Sequence, residues 1–164
     1  MPSVAFSRLL KLRAARSHCA DTLPYLDAVV PEDGQSSYDV DPEGETYRIA
    51  DQQEAEAAGT PGFVPPPLGW IEEAVTDESV RTIMLTQLTP HPLTAFAQPI
   101  RLSNPDAARV AHAYVHCMIT SAPEPAYLAR IRADLTWRYA EIPFDHLAPV
   151  TAPRETAEAL LALV

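Results

Sequence analysis

The chain has 164 residues, 47% of them apolar, a size and make-up that suit one domain with a buried core and exclude wholesale disorder. Its 12 Lys and Arg stand against 22 Asp and Glu, a formal net charge of -10. A field of that sign repels phosphate, so nucleic acids and anionic membranes are excluded as expected partners, and the acidity reads as solubility.

The first twenty residues, MPSVAFSRLLKLRAARSHCA, are basic and carry no acid before Asp21, as in a transit peptide. They have no continuous apolar run, so they make a poor secretory signal, and nowhere does the chain approach the roughly 18 apolar residues of a membrane span. Residues 4 to 15 set Val4, Leu9, Leu10 and Leu12 among Arg8, Lys11 and Arg13, a helix with one apolar side. The two cysteines, Cys19 and Cys117, lie far apart. They are read as reduced thiols of a cytoplasmic protein, although arithmetic allows a disulfide.

Tyr25 to Val30 is a short apolar run stopped by Pro31 and Gly34, the pattern of a buried strand ending in a loop, with Pro24 at its start. Residues 35 to 62 are polar and acidic with a helical patch around Asp51 to Ala58. GTPGFVPPPLGW follows as a proline-stiffened extended segment. Helical spacing of Ile71, Val75, Val80, Ile83, Met84 and Leu88 predicts a helix over 70–88, and LTPHPLTAFAQPI is again broken by proline. Seventeen prolines, about twice the usual share, gather largely in this middle region. Residues 35–105 thus read as an inserted cap.

The pattern changes after Arg109. VAHAYVHCMIT is apolar on both faces, as a central parallel strand should be. Pro125 to Asp134 reads as a helix, TWRYAEIPF as a second strand, and APRETAEALLALV as a helix with Pro153 in its first turn. Strand, helix, strand, helix of these lengths calls for a parallel crossover unit. The expected fold class is α/β, with 1–34 and 106–164 as its core part.

In such sheets chemistry gathers at the carboxyl ends of strands. Loops are expected there after Val30, Thr120 and Phe144, and the third holds Asp145 and His146. A histidine in that place is suited to general-base work. His112 and His116 share one face of their strand beside Cys117, but no carboxylate or cysteine cluster accompanies them, so no metal and no cofactor is expected.

The order YLDAVVPEDG, QLTPHPLTAF, YVHCMIT and HLAPVTAPRETAEALL resembles one branch of the α/β-hydrolase superfamily, the small esterases together with the plant methylesterase and hydroxynitrile-lyase group. The resemblance runs from Tyr25 onward and implies a partial α/β-hydrolase fold: a three-stranded parallel sheet, flanking helices and a helical cap, with the first half of the fold absent. It places the family's catalytic histidine on His146. For the acid it leaves two candidates. Many members carry an Asp after the penultimate strand, where this chain offers Glu124, and some place the acid one strand earlier, where Asp27 stands. His91, Trp70 and Phe96 of the cap become candidates for a substrate pocket. The family's Gly-X-Ser-X-Gly turn, which presents the nucleophile, is missing, since no serine of the chain is flanked by glycines in that way.

Two functions follow. One is an ester or acyl-bond hydrolase that is inactive by itself for want of a nucleophile, with a small ester-like substrate if completed. The other is a non-catalytic remnant or binding module. A three-stranded parallel sheet leaves an apolar edge, so a homodimer or a complementing chain is the expected partner.

Overall fold

The computed structural model describes residues 22–105, 109–120 and 124–164. The expected helix at residues 4–15, Cys19, and Ser3, Ser7, Ser17 and Ser121 lie outside them. The chain divides into two compact units, which among the described residues comprise 30–101 and 22–29 with 102–164.

The second of these is an α/β layer. Its three strands are β1 (Thr22–Leu26), β4 (Ala111–Cys117) and β5 (Trp137–Ile142). They pair in parallel in the order β1-β4-β5, with Tyr25 opposite Tyr114 and Tyr114 opposite Tyr139. Helix α5 (Ala126–Ala133) connects β4 to β5, and α6 (Ala148–Thr151) and α7 (Pro153–Leu161) close the chain. β4 lies in the middle because its sequence permits it: Ala113, Tyr114, Val115 and Cys117 are all buried, so both faces of the strand are covered. Val115, Cys117, Ile142 and Ala148 form a core cluster, with Leu26, Phe144, Leu160 and Leu163 packed on it. Arg138 on β5 donates to the carbonyl of Leu163 at 2.7 Å, tying the end of the chain to the sheet.

The first strand departs from expectation. It covers Thr22–Leu26 rather than Tyr25–Val30, with Pro24 at its third position. Alternation explains how the proline is tolerated. The Asp27 N–H donates to Val115 O at 2.8 Å, so odd-numbered backbone groups of β1 turn toward β4 and the nitrogen of Pro24 turns away from it. Among the described residues β1 is an edge, and Pro24 is exposed on it.

The other unit is built of short pieces: α1 (Gly44–Ala57), α2 (Leu68–Ala74), α3 (Glu78–Gln87) and α4 (Leu93–Ala97), with β2 (Phe63–Val64) antiparallel to β3 (His91–Pro92). Ala55, Val64, Ile71, Val75, Met84 and Phe96 are its buried residues. The helix expected over 70–88 is two helices, because Asp77 takes the Val80 N–H on its side chain and caps α3. Periodicity hid the break, since Val75 is buried in the gap as it would be in a continuous helix. The patch expected at 51–58 starts earlier, at Gly44, where a Cβ would sit 1.7 Å from the Tyr38 carbonyl and only glycine fits. The proline-rich segment is extended only as far as Pro67, and Leu68 to Trp70 open α2.

Burial ranks the positions of the α/β layer. Leu128 on α5 is fully buried and Leu135 is 98% exposed. Leu128→Ala should therefore cost about 2–5 kcal/mol in urea denaturation and Leu135→Ala less than about 0.5 kcal/mol. Equal losses would contradict the placement of α5 on the sheet.

Candidate active site at the carboxyl end of the parallel sheet

The site begins where β1 stops. Asp27 follows the last strand residue with φ of +43°, the left-handed region, and no other non-glycine among the described residues has a positive φ. Aspartate tolerates this conformation better than most residues, at a cost of about 1–3 kcal/mol. Turning the backbone there folds the Asp27 carboxylate back over the end of the neighbouring strand. The Cys117 N–H donates to Asp27 Oδ1 at 3.1 Å. One residue farther on, the Tyr114 hydroxyl donates to the carbonyl of Ala28 at 2.8 Å and pins the outgoing chain.

His146 arrives from the far side of the sheet, in the loop between β5 and α6. That loop is fixed by its own hydrogen bonds. Asp145 accepts the Leu147 N–H on its side chain at 2.9 Å and the Ala148 N–H on its carbonyl at 3.0 Å. Leu147 is buried beneath it. The Met118 and Ile119 N–H groups each donate at 3.0 Å to the carbonyls of Ile142 and Phe144, carrying the pairing past the end of β4.

These elements bring His146 Nδ1 to 2.8 Å from Asp27 Oδ2, between residues 119 apart in sequence. An ionised carboxylate can only accept, so Nδ1 carries the proton, and in the neutral ring the lone pair is on Nε2. A second imidazole stands at the same carboxylate, with His116 Nδ1 at 3.4 Å from Oδ1. Burial pushes the Asp27 pKa up, but the His146 and Cys117 hydrogen bonds and the charges of the two histidines outweigh it. They hold the carboxyl below its ordinary range. Its neighbour Cys117 goes the other way, pushed up to about 12 by burial and by the charges of Asp27 and Asp145, so its thiol stays protonated and is a poor nucleophile.

The other expected residues lie elsewhere. Glu124 gives both carboxylate oxygens to Arg132 Nη1, at 2.6 and 2.7 Å, in a surface network that also contains Glu141 and Tyr139. His112 stacks on Trp137, with centroids 4.8 Å apart, and lies near Tyr25. Among the described residues no three His, Cys, Asp or Glu side chains are grouped to hold a metal ion. Nor is any helix among them long and apolar enough to cross a membrane. In the helical unit the Phe96 ring is buried between Tyr38 and His91, 4.6 Å from the latter, while Trp70 is half-buried on α2. Sequence reasoning gave His116 no part in this site. The signal available was its parity with His112 and its place one residue before the end of β4.

A search of solved structures finds an extracellular α/β-hydrolase from a Paenibacillus species, described as sharing structural and functional homology with tobacco salicylic acid binding protein 2. The TM-score is 0.68 at 20% identity over 87% of this chain. The fold is that of an α/β-hydrolase. The chain spans 61% of the length of that structure, so the hydrolase fold is present in part, as the three-stranded parallel sheet and its helices. No family model and no curated protein matches the sequence.

Asparagine also accepts the left-handed backbone, so Asp27→Asn removes the charge at small conformational cost. A carboxyl whose folded pKa lies below its unfolded value of about 3.9 contributes stability that is complete above that value and is lost as the pH falls through the folded one. The variant should be less stable by about 1–3 kcal/mol at neutral pH, with the gap closing as the pH drops below about 4. A gap of the same size at pH 3 and pH 7 would contradict the assignment.

Proposed function

We propose that the chain belongs to the α/β-hydrolase superfamily, in the small-esterase branch with the plant methylesterases and hydroxynitrile lyases. In this reading Asp27 and His146 are the acid and base of a Ser-His-acid triad. The observation that carries it is the 2.8 Å contact between Asp27 Oδ2 and His146 Nδ1 at the carboxyl end of a parallel sheet. A carboxylate there orients the imidazole and stabilises the cation formed when Nε2 takes a proton from an attacking hydroxyl. Asp27 takes this role rather than Glu124, whose two oxygens are engaged by Arg132. The reaction class is hydrolysis of an ester or similar acyl bond. The helical unit is read as the cap, with Trp70, His91 and Phe96 as its substrate-side candidates, and the cytoplasm as the setting for its thiols.

The reading includes a gap. These 164 residues contain no Gly-X-Ser-X-Gly turn, and among the described serines Ser36 is spent on Asp39, its hydroxyl donating at 2.6 Å. Cys117 is no substitute, for the reason given above. We therefore expect this polypeptide by itself to be catalytically silent and to need a nucleophile from a complementing chain or further sequence. The same missing turn favours a second reading, a non-catalytic binding or interaction module that keeps the hydrolase fold.

Hydrolysis of a short-chain aryl ester should proceed at the same rate with the purified chain and with His146→Ala. Activity above background that disappears in the variant would contradict the silent reading and show that these residues contain a nucleophile.

A further inference from the structure

The Asp27 carboxylate is approached by two imidazoles from two different strands' ends. Oδ2 lies 2.8 Å from His146 Nδ1, and Oδ1 lies 3.4 Å from His116 Nδ1. The two contacts differ in kind: the first is a hydrogen bond, and the second is a longer approach that becomes an ion pair when the His116 ring carries a proton. Oδ1 already accepts the Cys117 N–H, which sets its geometry, and the His116 ring approaches that same oxygen. All three side chains are well covered, at 19% exposure for Asp27, 13% for His116 and 29% for His146, so water screens them only partly.

We propose that His116 is a positioning residue for His146: the two imidazoles share one carboxylate, and a positive charge on the His116 ring disfavours a second positive charge on the His146 ring. The two rings are therefore coupled through one carboxylate: a proton on either makes a proton on the other less favourable. Other charges among the described residues face His116 as well. Glu141 is its register partner on β5 and is itself bonded to Arg132 of α5, Asp27 lies against its ring, and the charge of Asp145 reaches the adjoining Cys117.

This inference rests on the Asp27–His146 pairing read above as the acid and base, and the two are separable by NMR titration of the His146 ring in the full chain. The wild-type curve should show two steps, because the ring senses the charge on its neighbour. His116→Gln should collapse it to one step with the midpoint raised by about half a pH unit. Asp27→Asn should lower the midpoint. A merely structural His116 predicts the opposite sign, since a loosened carboxylate would lower the His146 midpoint. An unchanged or lowered midpoint in His116→Gln, with Asp27→Asn still effective, overturns the shared carboxylate and leaves the pairing intact. No response to Asp27→Asn overturns both. If His116→Gln does not fold, a single-step wild-type curve is sufficient to overturn the proposal.

Discussion

The Asp27 carboxylate must meet a backbone N–H on one strand and a histidine delivered from beyond another, and only a narrow set of backbone positions allows both. It stands one residue past the end of β1 and reaches sideways because its backbone is left-handed. An extended backbone at that position would stand the side chain off one face of the sheet instead. The sheet supplies the rest of the geometry. Parallel pairing puts the carboxyl ends of all three strands at one side, so the Cys117 N–H and the His146 loop arrive there together.

Packing explains why the arrangement holds against the strain at Asp27. The core beneath the site is made by Val115, Cys117, Ile142 and Ala148, which belong to the ends of β4 and β5 and the start of α6. Any shift of the His146 loop would disturb the buried Leu147 and Ala148, and any shift of the chain after Asp27 would break the Tyr114 bond to Ala28. The Asp27–His146 pair is thus placed by elements that are each fixed by their own contacts, which in the proposed reading would keep the base pre-aligned.

Much of the α/β layer was legible in the sequence, because its signals are local. Apolar residues on both faces of β4 announced a central strand, and Pro153 in its first turn announced the last helix. His146 was legible as a loop residue before that helix, and the resemblance gave it a role. The preference for Asp27 over Glu124 in the proposed reading was not legible. It turns on a left-handed residue and on an arginine that binds Glu124 from eight positions along the chain, neither of which leaves a pattern in sequence. Strand periodicity put His112 and His116 on one face, but not that one would stack on Trp137 while the other faced the acid. In the helical unit the boundaries shifted for reasons of capping and close approach. Asp77 split an apparently continuous helix, and Gly44 opened one where a larger residue would have collided with Tyr38.

The most direct test of the central claim is the tautomer of His146, read from the nitrogen-15 shifts of its ring at a pH where it is neutral. A carboxylate bonded at Nδ1 requires the proton to sit on Nδ1, leaving Nε2 as the basic nitrogen. The account predicts that tautomer in the wild-type chain and a mixture of tautomers in Asp27→Asn. A neutral ring protonated on Nε2 in the wild type would mean that Asp27 does not hold His146 and that no acid–base pair exists at the end of this sheet.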